Sequence, residues 1–245
     1  MTVLVLGGTG ESRQLAELLA QAGVSAVTSL AGVVRTRELP VGEVRTGGFG
    51  GVAGLAGYLN AESVSAVVDA THPFAARITA HAAAACAQTG TPLLRLSRPG
   101  WRRRPDSSDW HWVTDLAAAR RAAEGLGRRV FLSTGRQGVP AFTDWDDRYV
   151  LLRVVEDPEV AVPETWEVLY ARGPFDFADE LELMRDRRID VLVTKDSGGG
   201  HTAAKLDAAA ELGVPVVVVA RPPDPAGVER VDSAEAAAEW VLSLR

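Results

Sequence analysis

The chain has 245 residues, of which 47% are hydrophobic, and a formal net charge of −6 at pH 7. This composition predicts a globular protein with room for one large domain or two small ones, and the negative charge argues against a nucleic-acid partner. The single cysteine, Cys86, excludes an internal disulfide framework and a Cys/His cluster, so we expect no metal site.

The N-terminal apolar run is only Val3 to Leu6, which is too short for a signal peptide. No stretch reaches the roughly 18 apolar residues of a membrane span. We therefore expect a cytoplasmic protein without a membrane partner, present as a monomer or a weak homo-oligomer.

The first 23 residues form the most informative segment. An apolar run leads into Gly7-Gly8-Thr9-Gly10, after which apolar residues recur at helical spacing up to Gly23. Such a strand, glycine turn and helix can bind a phosphate at the helix N-terminus. The third glycine of the dinucleotide fingerprint is missing, so the motif alone also fits a purely structural turn.

A second predicted strand, residues 24–30, ends without an Asp or Glu, the residue type that holds the ribose 2′-hydroxyl of NAD. Arg35 and Arg37 follow closely, a pattern that suits the 2′-phosphate of NADP. A solvated basic loop is the alternative. The glycine-rich segment 47–51 predicts a loop that lies flat against the cofactor or against another loop.

The strand predicted over residues 64–70 runs into Thr71-His72-Pro73. This places polar side chains at the carboxyl edge of a parallel sheet, where such sheets bind ligands. His72 could contact the nicotinamide or the substrate, or it could cap a helix. Residues 98–105, with two prolines and four arginines, are the best candidate for a linker between domains. The alternative is a basic patch facing the substrate, with Trp101 as an aromatic wall, since guanidinium groups pair with carboxylates.

The second half repeats the alternation of strands and helices. The turns Thr134-Gly135-Arg136 and Ser197-Gly198-Gly199 predict anion sites at helix N-termini. Of the 26 basic residues only Lys195 and Lys205 are lysines, and both lie beside the second turn. Together these groups predict a receptor for a polycarboxylate. The other predicted strands are 43–46, 91–96, 129–133, 149–155, 166–171, 190–194 and 215–220, with helices near 52–60, 114–126 and 175–187, one ending at 212, and one capped by Ser233.

The ordered set of motifs resembles the precorrin-6A reductase family of cobalamin biosynthesis. The resemblance spans essentially the whole chain and is carried by 7–11 (GGTGE), 29–32 (SLAG), 47–51 (GGFGG), 68–75 (VDATHPFA), 134–136 (TGR), 195–199 (KDSGG) and 221–222 (RP). It implies NADPH-dependent reduction of one double bond of precorrin-6A to give precorrin-6B. It also implies an α/β fold of two Rossmann-like subdomains with parallel sheets and the active site in the cleft between them.

The resemblance further implies an NADPH-binding domain over residues 1–98 and a substrate-binding domain over residues 99–245, with the C-terminal helix packing on either. Within the first domain it implies cofactor-binding residues, namely Gly8, Thr9, Gly10, Glu11, Ser29, Gly32, Arg35, Thr71, His72 and Pro73. Within the second it implies residues for the carboxylates of the tetrapyrrole, namely Arg136, Lys195, Ser197, Gly198, Gly199, His201 and Lys205. Candidate catalytic groups are Lys195, Asp196 and His72.

One departure concerns the cofactor. The family carries an arginine directly after the Ser-Leu-Ala-Gly tetrad, where this chain has Val33. The alternatives to this function are a cobalt-precorrin-6A reductase, a generic NADP-dependent reductase and an NADP-sensing module. The short-chain type of reductase needs a Tyr-x-x-x-Lys pair, and neither lysine has a tyrosine four residues before it.

Overall fold

The computed structural model describes residues 1–32, 39–200 and 202–245. The chain divides into two compact units, the first comprising Met1–Arg98 with Pro222–Arg245 and the second comprising Pro99–Arg221. The first division falls within the predicted linker. The second returns the C-terminal segment, whose place the sequence left open, to the first unit.

The first unit contains a six-stranded parallel sheet. In space its order is β12-β5-β4-β1-β2-β3. Read from the other edge this is the Rossmann order 3-2-1-4-5-6, with a switch point between β1 and β4. The strands are β1 (Thr2–Leu6), β2 (Ser25–Leu30), β3 (Glu43–Thr46), β4 (Val64–Asp69), β5 (Leu93–Leu96) and β12 (Glu229–Val231).

Helices cover both faces of this sheet because successive strand residues point to opposite sides. Val3 and Val5 pack in a core with residues of α1 and α7, whereas Leu4 and Leu6 pack with residues of α2 and α3. Cys86 is buried in the second of these cores. The helices are α1 (Gly10–Gln21), α2 (Gly51–Ala61), α3 (Ala76–Thr89) and α7 (Ala234–Ser243).

The second unit contains another parallel sheet of six strands, in the order β6-β11-β10-β7-β8-β9. Its switch point lies between β7 and β10. The strands are β6 (His111–Val113), β7 (Arg129–Ser133), β8 (Tyr149–Val154), β9 (Trp166–Tyr170), β10 (Val191–Lys195) and β11 (Val216–Val219), and the helices are α4 (Leu116–Glu124), α5 (Phe177–Asp186) and α6 (Ala204–Leu212).

The two parallel α/β sheets confirm the predicted fold class. Ser233 caps α7 as predicted, its Oγ accepting the Ala236 N–H at 3.2 Å. The sequence missed the edge strands β6 and β12, which have three residues each and carry little periodicity. Within the described ranges, no helix combines the length and apolarity that crossing a bilayer requires.

Candidate active site

The glycine turn between β1 and α1 is held by a network of short-range hydrogen bonds. Thr9 is the N-cap of α1: its Oγ1 accepts the Ser12 N–H at 3.1 Å and donates to the Ala70 carbonyl at 2.8 Å. The Ser12 Oγ in turn accepts the N–H groups of Gly8 and Thr9. The Thr9 side chain was predicted to bind the cofactor, but its hydroxyl is used in these bonds, which attach the turn to the residue after β4.

This turn fits the diphosphate of a dinucleotide. The first turn of a helix leaves N–H groups without intrahelical acceptors, and Thr9 satisfies only that of Ser12, leaving those of Gly10 and Glu11. A Cβ at Gly8 or Gly10 would meet no atom within 4 Å, so the outer surface of the turn is open. Gly8 also has φ of +117°, which disfavours other residues.

The side chain of Glu11 forms an ion pair with Arg98. Its Oε2 lies 2.7 Å from the Arg98 Nη1. The pair neutralises a carboxylate that would otherwise oppose an anion at this helix end. Glu11 therefore contributes its backbone N–H to the candidate site, and its side chain links the turn to the segment after β5.

The carboxyl end of β2 carries Ser29, and Gly32 follows it as an exposed residue. In the register of the sheet, Ser29 lies opposite Arg45 of β3, and the Arg45 Nη1 donates to the Ser29 Oγ at 2.8 Å. The sequence did not single out Arg45. Arg35 lies outside the described residues, as does Arg37.

At the end of β4, Asp69 forms a buried ion pair with Arg95. Asp69 and Arg95 are 1% and 2% exposed, and the Arg95 Nη1 lies 2.8 Å from the Asp69 Oδ1. The same carboxylate oxygen accepts the N–H and the hydroxyl of Thr71, at 3.1 and 2.7 Å. Thr71 is thereby fixed at the start of the turn that carries His72 and Pro73.

His72 is exposed beside this fixed turn. Its Nδ1 accepts the Phe74 N–H at 3.2 Å, which places the ring proton of the neutral imidazole on Nε2. α3 begins only at Ala76, with Ala75 as an N-cap that uses no side chain. His72 therefore orders the turn and does not cap the helix.

In the second unit, Lys195 ends β10 and Asp196 follows it at the switch point of the sheet. Lys195 is half-buried, and this burial lowers the pKa of its ammonium group. Asp196 is 4% exposed; its Oδ1 accepts the Trp101 N–H at 2.8 Å, and its Oδ2 lies 3.4 Å from the Arg221 Nε.

The turn after Asp196 adopts consecutive left-handed conformations, with φ of +65° at Gly198 and +68° at Gly199. A Cβ at Gly198 would overlap the Arg221 guanidinium and the Pro99 carbonyl oxygen. The Ser197 Oγ lies 3.1 Å from the Thr202 Oγ1. His201 lies outside the described residues.

Neither of the two turns leads directly into the N-terminus of an α-helix, although α6 follows the second turn and ends at Leu212 as predicted. Residues Arg136–Ala141 form a 3₁₀ helix because Pro140 within it has no N–H for an α-helical bond. α6 begins only at Ala204, since the left-handed glycines continue the loop past Ser197. In the described part of these loops the candidate anion contacts are therefore the side chains of Arg136, Lys195 and Ser197 and the backbone N–H groups of Gly198 and Gly199, without the help of an α-helix N-terminus.

The two remaining predicted cations differ in accessibility. Arg136 is exposed, and its Nη1 lies 3.0 Å from the Glu156 Oε2. Lys205 is only 2% exposed; its Nζ donates to the Thr202 carbonyl at 2.5 Å and lies 4.9 Å from the centre of the Trp101 ring. Burial lowers the pKa of Lys205 to about 7. Lys205 thus supports the loop from beneath, and we exclude it from the carboxylate receptor.

Comparison with known proteins assigns this arrangement to a family. The sequence profile described as "Precorrin-6x reductase CbiJ/CobK" matches residues 2–242. This chain belongs to the precorrin-6x reductase family. Membership of a reductase family of this kind implies a nicotinamide cofactor, which agrees with the open glycine turn of the first unit.

Members of this precorrin-6x reductase family match over most or nearly all of their length. The chain is 55% identical over 243 residues to the precorrin-6A reductase of Rhodococcus erythropolis, covering 99% of this chain and 98% of that protein. It is 52% identical to that of Mycobacterium tuberculosis, with the same coverage. Proteins named cobalt-precorrin-6A reductase match at 27–28% identity. A solved structure titled "CobK precorrin-6A reductase" superposes with a TM-score of 0.88 at 42% identity, covering 100% of this chain and 97% of that one.

Several residues that shape the candidate site were not among its predicted cofactor-binding, substrate-binding or catalytic residues. Arg45, Arg95 and Trp101 each act through contacts between segments distant in sequence, with Ser29, Asp69 and Asp196 respectively. Two of them carried a signal. Arg45 is a cation near the end of a strand, before a glycine-rich loop, and Trp101 is the aromatic residue of the arginine-rich segment 98–105. Within the described ranges no group of three or more His, Cys, Asp or Glu side chains is placed to hold a metal ion.

Proposed function

We propose that this chain reduces one double bond of precorrin-6A, with NADPH as the reductant, to give precorrin-6B in cobalamin biosynthesis. The observation that carries this proposal is the 55% identity over 99% of the chain to a precorrin-6A reductase. The lower identity to the cobalt-precorrin-6A reductases, 27–28%, supports a metal-free macrocycle as the substrate.

The first unit supplies the cofactor site in this proposal. The Gly10 and Glu11 N–H groups receive the diphosphate, and the Thr9 and Ser12 side chains hold the turn that presents them. The described end of β2, through Gly32, has no carboxylate, which supports NADPH over NADH. When bound, NADPH supplies a hydride.

Residues at the end of β4 lie where the nicotinamide of a dinucleotide extends in this fold, across the switch point from the glycine turn. Thr71 and Pro73 are buried in the turn after β4, and His72 between them is exposed. The buried Asp69 and Arg95 pair keeps the turn in place. We assign these residues to the orientation of the nicotinamide ring.

The second unit supplies the substrate site. Arg136 follows β7 and Lys195 ends β10, and these two strands are neighbours in the sheet. Both residues provide positive charge for the macrocycle carboxylates. Ser197, Gly198 and Gly199 provide polar groups in the loop that follows β10. Arg136 exchanges its exposed contact with Glu156 for a substrate carboxylate.

The reduction also needs a proton at the carbon that does not receive the hydride. Lys195 is the best donor among the described residues because burial lowers the pKa of its ammonium group and so makes it a stronger acid near neutral pH. Asp196 is a poorer one because its carboxylate is held by Trp101 and Arg221.

The test begins with titration of the purified protein with NADPH and with NADH. The NADPH complex is then mixed anaerobically with precorrin-6A while absorbance at 340 nm is followed. We expect NADPH to be oxidised only in the presence of the macrocycle, with one NADPH consumed for each molecule reduced.

A parallel reaction uses cobalt-precorrin-6A. Faster turnover of the cobalt macrocycle than of precorrin-6A would overturn the choice of substrate. Tight NADPH binding with no turnover of either macrocycle would favour a sensing module, and failure to bind either nucleotide would overturn the assignment of the glycine turn.

A further inference from the structure

We infer that Arg45 binds the 2′-phosphate of NADPH and so determines the preference for NADPH over NADH. This inference rests on the proposed function, because it names the residue that selects the cofactor at the same site. It replaces the loop arginines Arg35 and Arg37, which the sequence had suggested.

Arg45 is placed where the adenosine ribose of a dinucleotide lies. In Rossmann-type folds the ribose 2′ position is read at the carboxyl end of the second strand. Ser29 is at this end of β2, and Arg45 of β3 is its partner in the parallel register.

The guanidinium of Arg45 is held by three hydrogen bonds. Nη1 donates to the Ser29 Oγ at 2.8 Å and to the Gly47 carbonyl at 3.3 Å, and Nη2 donates to the Gly48 carbonyl at 3.3 Å. A guanidinium has five N–H donors, so Nε and one hydrogen of Nη2 remain for a phosphate. Because the Ser29 hydroxyl accepts from Arg45, its own proton can also be donated to the phosphate.

Aromatic stacking fixes the plane of this guanidinium. Its central carbon lies 3.8 Å from the centre of the Phe49 ring and 5.1 Å from that of Tyr58. Phe49 is itself held, because its ring contacts Tyr58 edge-on at 5.2 Å and its carbonyl lies where a Cβ at Gly54 would be. A planar cation fixed in this way is ready to bind a phosphate with little loss of side-chain entropy.

Arg45 has no ion pair with a carboxylate in the described part of the first unit, where Glu43 and Glu62 act on the neighbouring Tyr58. Arg95, Arg98 and Arg230 of the same unit each lie within 4 Å of a carboxylate. Arg45 forms no such ion pair within the described ranges, although it is half-buried. A half-buried cation without a counter-charge favours the binding of an anion, and the 2′-phosphate is the group that distinguishes NADPH from NADH.

The experiment measures binding alone, by isothermal titration calorimetry without the macrocycle. The probes are NADPH, NADH, 2′,5′-ADP and 5′-AMP, of which the last two isolate the contribution of the 2′-phosphate. The variants are Arg45→Ala and Arg45→Gln. Glutamine keeps a hydrogen-bond donor near Ser29, so a binding defect in this variant does not come from loss of the local fold. Arg35→Ala tests the alternative loop arginine. Arg245→Ala is the matched control, since Arg245 contacts the Ala22 carbonyl at the opposite end of α1.

We expect both Arg45 variants to weaken NADPH and 2′,5′-ADP roughly 10- to 100-fold, the range for lost hydrogen bonds to a charged group, and to leave NADH and 5′-AMP within about twofold. Arg245→Ala should behave as the unmodified chain, and Arg35→Ala should keep the preference for NADPH over NADH. Equal weakening of NADPH and NADH by Arg45→Gln, or a loss of selectivity in Arg35→Ala alone, would overturn the role of Arg45 and leave the proposed function intact. An unmodified chain that binds NADH as tightly as NADPH would overturn the proposed cofactor, and this inference with it.

Discussion

The carboxylate of Asp196 accepts the main-chain N–H of Trp101 at 2.8 Å, joining the loop after β10 to a segment 95 residues earlier in the chain. The neighbouring Gly100 is required for this contact, since a Cβ there would lie 2.7 Å from the Asp196 Oδ2. The same carboxylate lies 3.4 Å from the Arg221 Nε. We interpret Asp196 as the residue that positions the loop after β10, which carries Ser197, Gly198 and Gly199.

Asp196→Ala should therefore affect stability and substrate binding more than chemistry. Removing one partner of a buried ion pair leaves the other uncompensated, and we expect a loss of about 3 kcal/mol in the free energy of unfolding, together with a raised KM for the macrocycle. Asp196→Asn keeps the acceptor for Trp101 and should retain kcat within about tenfold. Urea denaturation and steady-state kinetics measure both effects. A kcat for Asp196→Asn reduced about a thousandfold at unchanged stability would instead identify Asp196 as a proton donor.

Substitution by alanine should have different effects at Gly7 and Gly10, two glycines of the same turn. Gly10→Ala should leave the melting temperature unchanged, because its Cβ meets no atom within 4 Å, but should weaken NADPH and NADH alike because the methyl group occupies the diphosphate position. Gly7→Ala should lower stability, since its Cβ would lie 2.8 Å from the Thr28 Cγ2. Thermal denaturation and nucleotide titration test the pair. Unchanged nucleotide affinity in Gly10→Ala would contradict the placement of the diphosphate.

The buried Lys205 should make stability depend on pH. Its pKa is about 7 in the folded chain and near 10.5 in the unfolded chain, so between these values the unfolded state binds one more proton. The free energy of unfolding should therefore rise with pH across this window, by at most about 1.4 kcal/mol per pH unit. Lys205→Met should remove this rise. Its free energy of unfolding, compared with that of the unmodified chain, should therefore be most favourable near pH 7. Urea denaturation at pH 7, 8 and 9 measures the difference, and parallel pH dependences of the two proteins would show that Lys205 is charged in both states.

Lys195→Ala should weaken macrocycle binding and slow turnover while leaving the Kd for NADPH within about twofold, because Lys195 lies in the second unit. In the unmodified enzyme the rate should fall as the pH rises through the pKa of Lys195, which burial places below its ordinary value of 10.5. The residual activity of Lys195→Ala should lack this fall. Pre-steady-state mixing at several pH values separates binding from proton transfer. An identical pH profile in both proteins would exclude Lys195 as the donor.

The candidate segments could be proposed from the sequence because each is local in it. The glycine turn, the Thr71 to Pro73 segment and the loop after Lys195 each follow a buried strand, and within each parallel sheet the carboxyl ends of the strands lie at one edge of that sheet. Lys205 was misassigned because its short distance from Lys195 in sequence gave no indication that α6 would bury its side chain.

By itself, the sequence determined the family, the α/β fold class and the strand ends at which we proposed the site, since hydrophobic periodicity and turn residues act over a few neighbouring positions. Tertiary structure alone decided which of the candidate polar groups are held by partners within the protein. Thr9, Asp196 and Lys205 are satisfied by Ala70, Trp101 and Thr202. Arg45 is held by Ser29 and Phe49 without a counter-charge among the described residues. Burial and hydrogen-bond partners arise from packing between elements, so they cannot be inferred from the identity of a single residue.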